Sequence, residues 1–340
     1  MIIIRADANE IVGTGHVMRC LSVAESFRTT GEKVLFVTAD HRGDLLIKDK
    51  GFDIVCLESD WTQMEKETEK LISLLQVESP RILLIDSYYV TEEYFNLISQ
   101  FVTLAYFDDI NSKKWNIDFL INYNIFGNVL DYSLYRGTKT KLLLGPEYAP
   151  LRNEFRNMPA HPISNEITDV LVSAGGADPE RICEKLIKEV CPCWQNVRFH
   201  VVVGALNPRI DYIKALSGNN IILHINEKKM SELMKMCDVA IAAAGTTLYE
   251  LCATGIPAIT YILADNQIIA AEQFSMQGIM LNAGDCRGDN LFTDRLGYLL
   301  RELAGSQGER EKYSEKMQKL VDGRGADRIA EALLRGNNSR

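Results

Sequence analysis

Met1-Ile2-Ile3-Ile4 and, after a short polar turn, Gly13-Thr14-Gly15-His16-Val17-Met18-Arg19-Cys20 open the chain. The apolar run is short, lacks polar alternation and ends at Arg5 and Asp7, which predicts a buried strand. Asp7-Ala8-Asn9-Glu10 turns the chain, and Gly13 and Gly15 permit tight backbone with positive φ. A helix is expected from about His16, showing Val17, Leu21, Ala24 and Phe27 on its apolar face and stopping at Gly31. This sets an imidazole on the first turn of a helix, above the carboxyl end of strand one, where open α/β sheets bind ligands. The positive end of the helix dipole disfavours an imidazolium there, so the ring is expected to accept a proton. A lone histidine at a helix start also serves as a cap or a packing residue. The case for chemistry is its company: Arg5, Asp7, Asn9 and Arg19 crowd the same loop.

Outward from that stretch, strand-like and helix-like runs alternate to the end of the chain. In the first half the strands are expected at Met1–Arg5, Lys33–Thr38, Phe52–Leu57, Arg81–Asp86, Leu104–Asp108, Phe119–Tyr123 and Lys141–Leu144. Runs such as Ile82-Leu83-Leu84-Ile85 suit parallel strands covered on both faces, and the alternation implies β-α-β units. The rhythm breaks at Gly145-Pro146-Glu147-Tyr148-Ala149-Pro150 and again at Met158-Pro159-Ala160-His161-Pro162. The expected organisation is a first domain at 1–150, a linker at 151–163, a second domain at 164–305 and carboxyl-terminal helices at 306–340 that return to the first domain. Second-half strands are expected at Asp169–Ser173, Arg198–Val203, Ile221–His224, Val239–Ala242, Ala258–Ile262 and Ile279–Leu281. The fold class is therefore α/β, with two Rossmann-like, doubly wound parallel-sheet domains expected to face one another across a cleft.

Two glycine turns of the second half follow strands. Ser173-Ala174-Gly175-Gly176-Ala177-Asp178-Pro179 leads into a helix expected to open at Pro179. Ala242-Ala243-Ala244-Gly245-Thr246-Thr247-Leu248-Tyr249-Glu250-Leu251 leads into another, whose free N–H groups and threonine hydroxyls suit a phosphate. Glu250 is one turn in, within reach of a ribose diol; alternatively Thr246 only caps the helix and Glu250 only complements its dipole. Asp265-Asn266-Gln267 follows the next strand at the same sheet edge. No G-x-G-x-x-G and no Walker lysine appear, which counts against a dehydrogenase and an ATPase.

The 340 residues are 46% hydrophobic and 24% charged, with a formal charge of −9; mean hydropathy is −0.07 and the isoelectric point about 5.2. These values predict a soluble globular protein and argue against nucleic acid or an anionic membrane as partner. The eight cysteines form no C-x-x-C pair, and Cys191-Pro-Cys193 with His200 is a poor zinc pattern, so no metal is expected. With no signal-peptide pattern and no apolar run of transmembrane length, the expected location is the cytoplasm.

Arg5-x-Asp7 with Gly13-x-Gly15-His16-Val17-Met18-Arg19-Cys20-Leu21 resembles the amino-terminal signature of the UDP-2,4-diacetamido-2,4,6-trideoxy-β-L-altropyranose hydrolases of pseudaminic acid biosynthesis. Asp108-Asp109, Leu144-Gly145-Pro146-x-Tyr148-Ala149-x-Leu151-Arg152-x-Glu154-Phe155, Gly175-Gly176-Ala177-Asp178-Pro179, Gly245-Thr246-Thr247-Leu248-Tyr249-Glu250-Leu251, Ala264-Asp265-Asn266-Gln267 and Val321-Asp322-Gly323-x-Gly325-Ala326-x-Arg328-Ile329 extend the likeness to nearly the whole chain. Ala8-Asn9, Val12 and Ala174 depart from that pattern. The second-half motifs are shared with the broader glycosyltransferase-B group. The resemblance implies a metal-independent, inverting hydrolase acting on a small UDP-sugar; no cofactor and a monomeric chain are expected. It further implies that His16 is the base, with Tyr88 and Asn266 at the sugar and Glu250 on the ribose. Asp7 is the candidate to orient His16. Gly13, Gly15, Arg19, Gly175, Gly176, Gly245, Thr246, Thr247 and Gln267 complete the expected substrate contacts. The competing readings are a UDP-sugar glycosyltransferase of the same fold and a non-catalytic nucleotide-sugar-binding protein.

Overall fold

The computed structural model describes every residue except 10, 177, 205, 206 and 338–340, together with all side chains but that of 337 in its last helix. Glu10 of the first turn and Ala177 of the second-half glycine turn thus lie outside the described residues. The chain divides into two compact units, Met1–Asn153 with the chain from Arg324 onward, and Glu154–Gly323. Of the helices after residue 306, Gln307–Leu320 belongs to the second unit and only Gly325–Asn337 to the first.

The first unit is built on seven strands, β1 (Ile2–Ala6), β2 (Val34–Thr38), β3 (Asp53–Cys56), β4 (Ile82–Asp86), β5 (Thr103–Phe107), β6 (Phe119–Asn122) and β7 (Lys141–Leu144). All pairs are parallel and the order is β3-β2-β1-β4-β5-β6-β7. The order reverses direction between β1 and β4, so the loops leaving those two strands diverge and leave a crevice at their carboxyl ends. Ile2, Ile3 and Ile4 are wholly buried, as expected of a central strand covered on both faces.

The helix that follows β1, α1 (Gly15–Thr29), buries Val17, Leu21, Ala24 and Phe27 on the sheet. Its opposite side also carries small buried residues, because helix Gly325–Asn337 packs there; the Ser26 hydroxyl donates to Asp327 Oδ1 at 2.8 Å. Gly325 lets the start of that helix lie against the backbone at Ala149, since a Cβ there would stand 2.2 Å from the Ala149 carbonyl oxygen.

The second unit carries six parallel strands, β8 (Asp169–Ser173), β9 (Arg198–Val203), β10 (Ile221–Ile225), β11 (Val239–Ala243), β12 (Ala258–Ile262) and β13 (Leu281–Asp285). Their order, β10-β9-β8-β11-β12-β13, reverses between β8 and β11. The last strand lies later than the apolar run Ile279–Leu281 suggests. Gly278 at φ 61° ends helix Ile268–Met276, and the Ile279 N–H returns to the Phe274 carbonyl at 2.9 Å, so Ile279 and Met280 finish a helix. No helix among the described residues is long and apolar enough to cross a membrane.

Candidate functional site

In the first unit the strand order brings the β1 loop and the end of β4 together. Gly13 has φ +71°, a conformation that favours glycine. Gly15 does not: it is already the first residue of α1, its φ is negative, and a Cβ there would meet nothing within 4 Å. The expectation of positive φ at both glycines is corrected accordingly. What Gly15 leaves is open space above the helix start.

His16, 7% exposed, is gripped by a residue from the other strand of the switch. Its Nδ1 lies 2.6 Å from Asp86 Oδ1, at the last position of β4. An ionised carboxylate only accepts, so Nδ1 carries a hydrogen, and in the neutral ring the lone pair is on Nε2. Among the described residues nothing engages Nε2. Arg19, one turn along α1, donates from Nε to Asp86 Oδ2 and from Nη2 to Oδ1, both at 2.6 Å. Burial works against charge on Asp86, but the Arg19 guanidinium and His16 overcome it and hold the carboxyl well below the usual carboxylate range. Arg19 Nη1 also reaches Asp109 Oδ2 at 2.8 Å and the Tyr123 hydroxyl at 3.1 Å, and its guanidinium lies over the Phe107 ring.

Tyr88 stands edge-on to His16, ring centroids 4.8 Å apart, and its hydroxyl donates to Asp109 Oδ2 at 3.1 Å. Burial first, and then the Asp109 charge, push its phenol upward, so it stays protonated. Asp7 lines the same crevice but does not orient His16. Its Oδ2 accepts from Arg5 Nη1 at 2.5 Å and its Oδ1 from the Ala39 N–H at 2.7 Å. The expected Asp7–His16 pairing is therefore replaced by Asp86–His16. Arg5 in turn forms a two-pronged pair with Glu67, both fully buried, with Nε to Oε1 at 2.7 Å and Nη2 to Oε2 at 2.8 Å. Of the polar residues that crowd the first loop, His16 and Arg19 thus join a network around Asp86 and Arg5 and Asp7 one around Glu67, while Asn9 turns back on its own loop, its Oδ1 accepting from the Ile11 and Val12 N–H groups at 2.9 and 3.0 Å.

In the second unit the loops leaving β8 and β11 flank the other switch point. Gly175 adopts φ +78°, and the Gly176 backbone packs so closely on Gly204 that a Cβ on Gly204 would lie 2.3 Å from the Gly176 carbonyl oxygen. The helix expected to open at Pro179 starts instead at Ile182. Asp178, itself at φ 48°, explains the shift: its carboxylate accepts from the Ile182 N–H at 2.7 Å and the Cys183 N–H at 3.0 Å. Those two helix-start donors are thereby occupied. Asp178→Ala is expected to cost about 1–2 kcal/mol of stability, read as a lowered urea midpoint.

The turn after β11 keeps its donors. Thr246 precedes helix Thr247–Thr254 with helical dihedrals and no side-chain capping bond, so the capping alternative for Thr246 does not hold. Among the described residues the N–H groups of Thr246 and Thr247 meet no backbone acceptor, as befits the first turn of a helix. Gln267 sits beside Gly245, its Nε2 4.0 Å from where a Cβ would be, with its Oε1 accepting from the Leu263 N–H at 2.8 Å. Glu250 is half-buried on the helix's first turn, and Asn266 is exposed on the short 3-10 turn Asp265–Gln267. Among the described residues no group of three or more His, Cys, Asp or Glu side chains is placed to hold a metal ion.

Two parallel-sheet α/β units of this kind make up the glycosyltransferase-B fold. Acinetobacter baumannii MurG superposes with a TM-score of 0.72 at 13% identity, covering 98% of this chain and 99% of that one. The calicheamicin glycosyltransferase CalG4 superposes with a TM-score of 0.68 at 15% identity, covering 99% and 98%. No protein-family model matches the chain. Among curated proteins it is 28% identical over 285 residues, 78% of its length, to the uncharacterized protein MJ1062 of Methanocaldococcus jannaschii, and spans 56% of that relative. It is 23% identical to the spore coat polysaccharide biosynthesis protein SpsG of Bacillus subtilis over 96% of both chains. It is 24% identical to the UDP-2,4-diacetamido-2,4,6-trideoxy-beta-L-altropyranose hydrolase of Campylobacter jejuni, over 77% of this chain and 92% of that one.

Proposed function

We propose that the chain is a UDP-sugar hydrolase that cleaves the anomeric C–O bond by inverting attack of water, with UDP-2,4-diacetamido-2,4,6-trideoxy-β-L-altropyranose as substrate, in pseudaminic acid biosynthesis. The observation that carries this reading is the Asp86–His16 pair at a switch point: His16 lines the crevice there, and the bond made by Nδ1 leaves Nε2 of the neutral ring to accept a proton. The water oxygen bonds to C1 as its proton passes to Nε2, and the C1–O bond to the β-phosphate breaks with its electron pair leaving on UDP. Asp86 stabilises the imidazolium formed in that step. The Thr246 and Thr247 N–H groups, at the positive end of their helix, take up the charge that develops on the diphosphate, so no strong general acid and no metal is invoked. Gly175, Gly176 and Gly245 leave the backbone open to the nucleotide, Glu250 holds the ribose, and Tyr88, Asn266 and Gln267 act at the sugar and its phosphate. Arg19 acts through Asp86, and Gly13 and Gly15 shape the loop that carries His16. A single displacement inverts the anomeric centre.

Incubation with the UDP-sugar and no acceptor tests this directly: sustained UDP release is expected. Release only after an alcohol acceptor is added would favour the transferase reading that the glycosyltransferase-named structural neighbours suggest. Glu250→Ala is expected to weaken UDP binding roughly ten- to a hundredfold by calorimetry, the range for a hydrogen bond to a charged group. Unchanged affinity would remove Glu250 from the ribose.

A further inference from the structure

The crevice around His16 is lined by Asp86 and by Trp61, Tyr88 and Tyr89. Behind Tyr88 stands Asp109, just past the end of β5, with no task in the hydrolytic step. Its Oδ1 accepts from Arg19 Nη1 and from Asn124 Nδ2, both at 3.1 Å. Its Oδ2 accepts from Arg19 Nη1 at 2.8 Å and from the Tyr88 hydroxyl at 3.1 Å. Each of these partners donates, which is the surrounding of an ionised carboxylate. The Asp109 side chain is only 15% exposed, so water screens its charge poorly.

Arg19 therefore serves two carboxylates with one charge. Its Nε and Nη2 go to Asp86 and its Nη1 to Asp109, while Nη2 also lies 3.4 Å from His16 Nδ1. The other titratable groups packed here are neutral or have partners of their own. Burial above all holds the Cys20 thiol, 3.6 Å from Asp86 Oδ2, and the Tyr88 and Tyr123 phenols in their protonated forms. Asp7 is paired with Arg5, and Asp108 accepts from the Ile110 and Asn111 N–H groups and the Trp115 indole.

With its imidazole neutral, the group formed by His16, Arg19, Asp86 and Asp109 carries one net negative charge. A proton arriving at Nε2 brings that group to zero. Without the Asp109 charge the same proton would take it from zero to one net positive charge. His16 and Arg19 are each 7% exposed and Asp86 1%, and an uncompensated charge is costly in such a place.

We propose that Asp109 is a positioning residue for proton uptake at His16: it draws off part of the Arg19 charge, so that Asp86 is left to stabilise the imidazolium. This rests on the hydrolase reading above. The test is UDP release from the diacetamido UDP-sugar by two variants. Asp109→Asn keeps the shape and loses the charge, whereas Asp109→Glu keeps the charge and changes the reach. Asp109→Asn is expected to lower kcat about tenfold with KM unchanged. A unit charge one guanidinium away is worth at most about a hundredfold at an effective dielectric constant of about 20, and the imidazolium is only partly formed in the transition state. Asp109→Glu is expected to retain most of the rate; a packing role would reverse that order. In the His16→Asn protein, followed with enzyme in excess, adding Asp109→Asn is expected to change the residual rate little, because no imidazolium forms there. Unchanged melting of both variants separates loss of the charge from loss of the fold. An unchanged kcat in Asp109→Asn, an equal loss in Asp109→Glu, or a loss that persists beside His16→Asn overturns the proposal and leaves the hydrolase reading standing. No UDP release by the unsubstituted chain would overturn both.

Discussion

His16→Asn is expected to lower kcat by roughly a hundred- to ten-thousandfold, the usual cost of removing a general base, while leaving the Kd for UDP unchanged. Asparagine still offers Asp86 an N–H, so the Asp86–Arg19 network keeps a partner, but it has no lone pair basic enough to take a proton from water. The groups proposed to hold the nucleotide, Gly245, Thr246, Thr247 and Glu250, belong to the second unit, whereas His16 belongs to the first. Loss confined to kcat is the signature of a group that acts only in the transition state. Equal loss in kcat and in UDP affinity would mean that His16 is a binding or structural residue.

Glu67→Ala is expected to destabilise the protein by about 3–5 kcal/mol, because it leaves the fully buried Arg5 guanidinium without its two-pronged partner. Tyr94 and Ser59, which also donate to Glu67 at 2.8 and 2.9 Å, lose their acceptor as well. Glu67→Gln is expected to cost distinctly less, since an amide oxygen still accepts. Urea titration followed by circular dichroism measures both; a Glu67→Ala midpoint equal to that of the unsubstituted chain would contradict the role given to this pair. A buried ion pair is weak evidence of stabilisation in itself. Here its placement counts: Arg5 fixes Asp7, and Glu67 fixes the loop carrying Trp61.

Much of the sheet framework is legible in the amino-acid sequence because parallel strands covered on both faces must be apolar throughout. Ile2-Ile3-Ile4 and Ile82-Leu83-Leu84-Ile85 announce β1 and β4 for that reason. The edge strand β13, which contains Asn282 and Gly284, does not announce itself, and the apolar pair Ile279-Met280 beside it belongs to a helix end. His16 is legible as a helix-start histidine next to glycine. Its partner is not, because Asp86 lies 70 residues away and only the β1–β4 adjacency brings the two together. The available signal was an aspartate closing an apolar strand, at the end where ligands bind. Asp7, much nearer in sequence, is drawn off by Arg5, which points inward from a central strand. Asp109, Tyr123, Trp61 and Tyr89 enter the site from loops whose positions depend on the whole sheet order, so spacing along the chain carries no sign of them. Asp178 shows the same limit on a smaller scale: Pro179 looks like a helix start, yet the carboxylate before it moves the start to Ile182.

The central claim is that water, activated at His16 Nε2, attacks the anomeric carbon. Proton NMR and mass spectrometry of the reaction with UDP-2,4-diacetamido-2,4,6-trideoxy-β-L-altropyranose in ¹⁸O-labelled water test it most directly. The account predicts label on the anomeric oxygen of the released sugar, inverted configuration in the first product seen, and unlabelled UDP. Label in the UDP phosphate, or a first product of retained configuration, would contradict it.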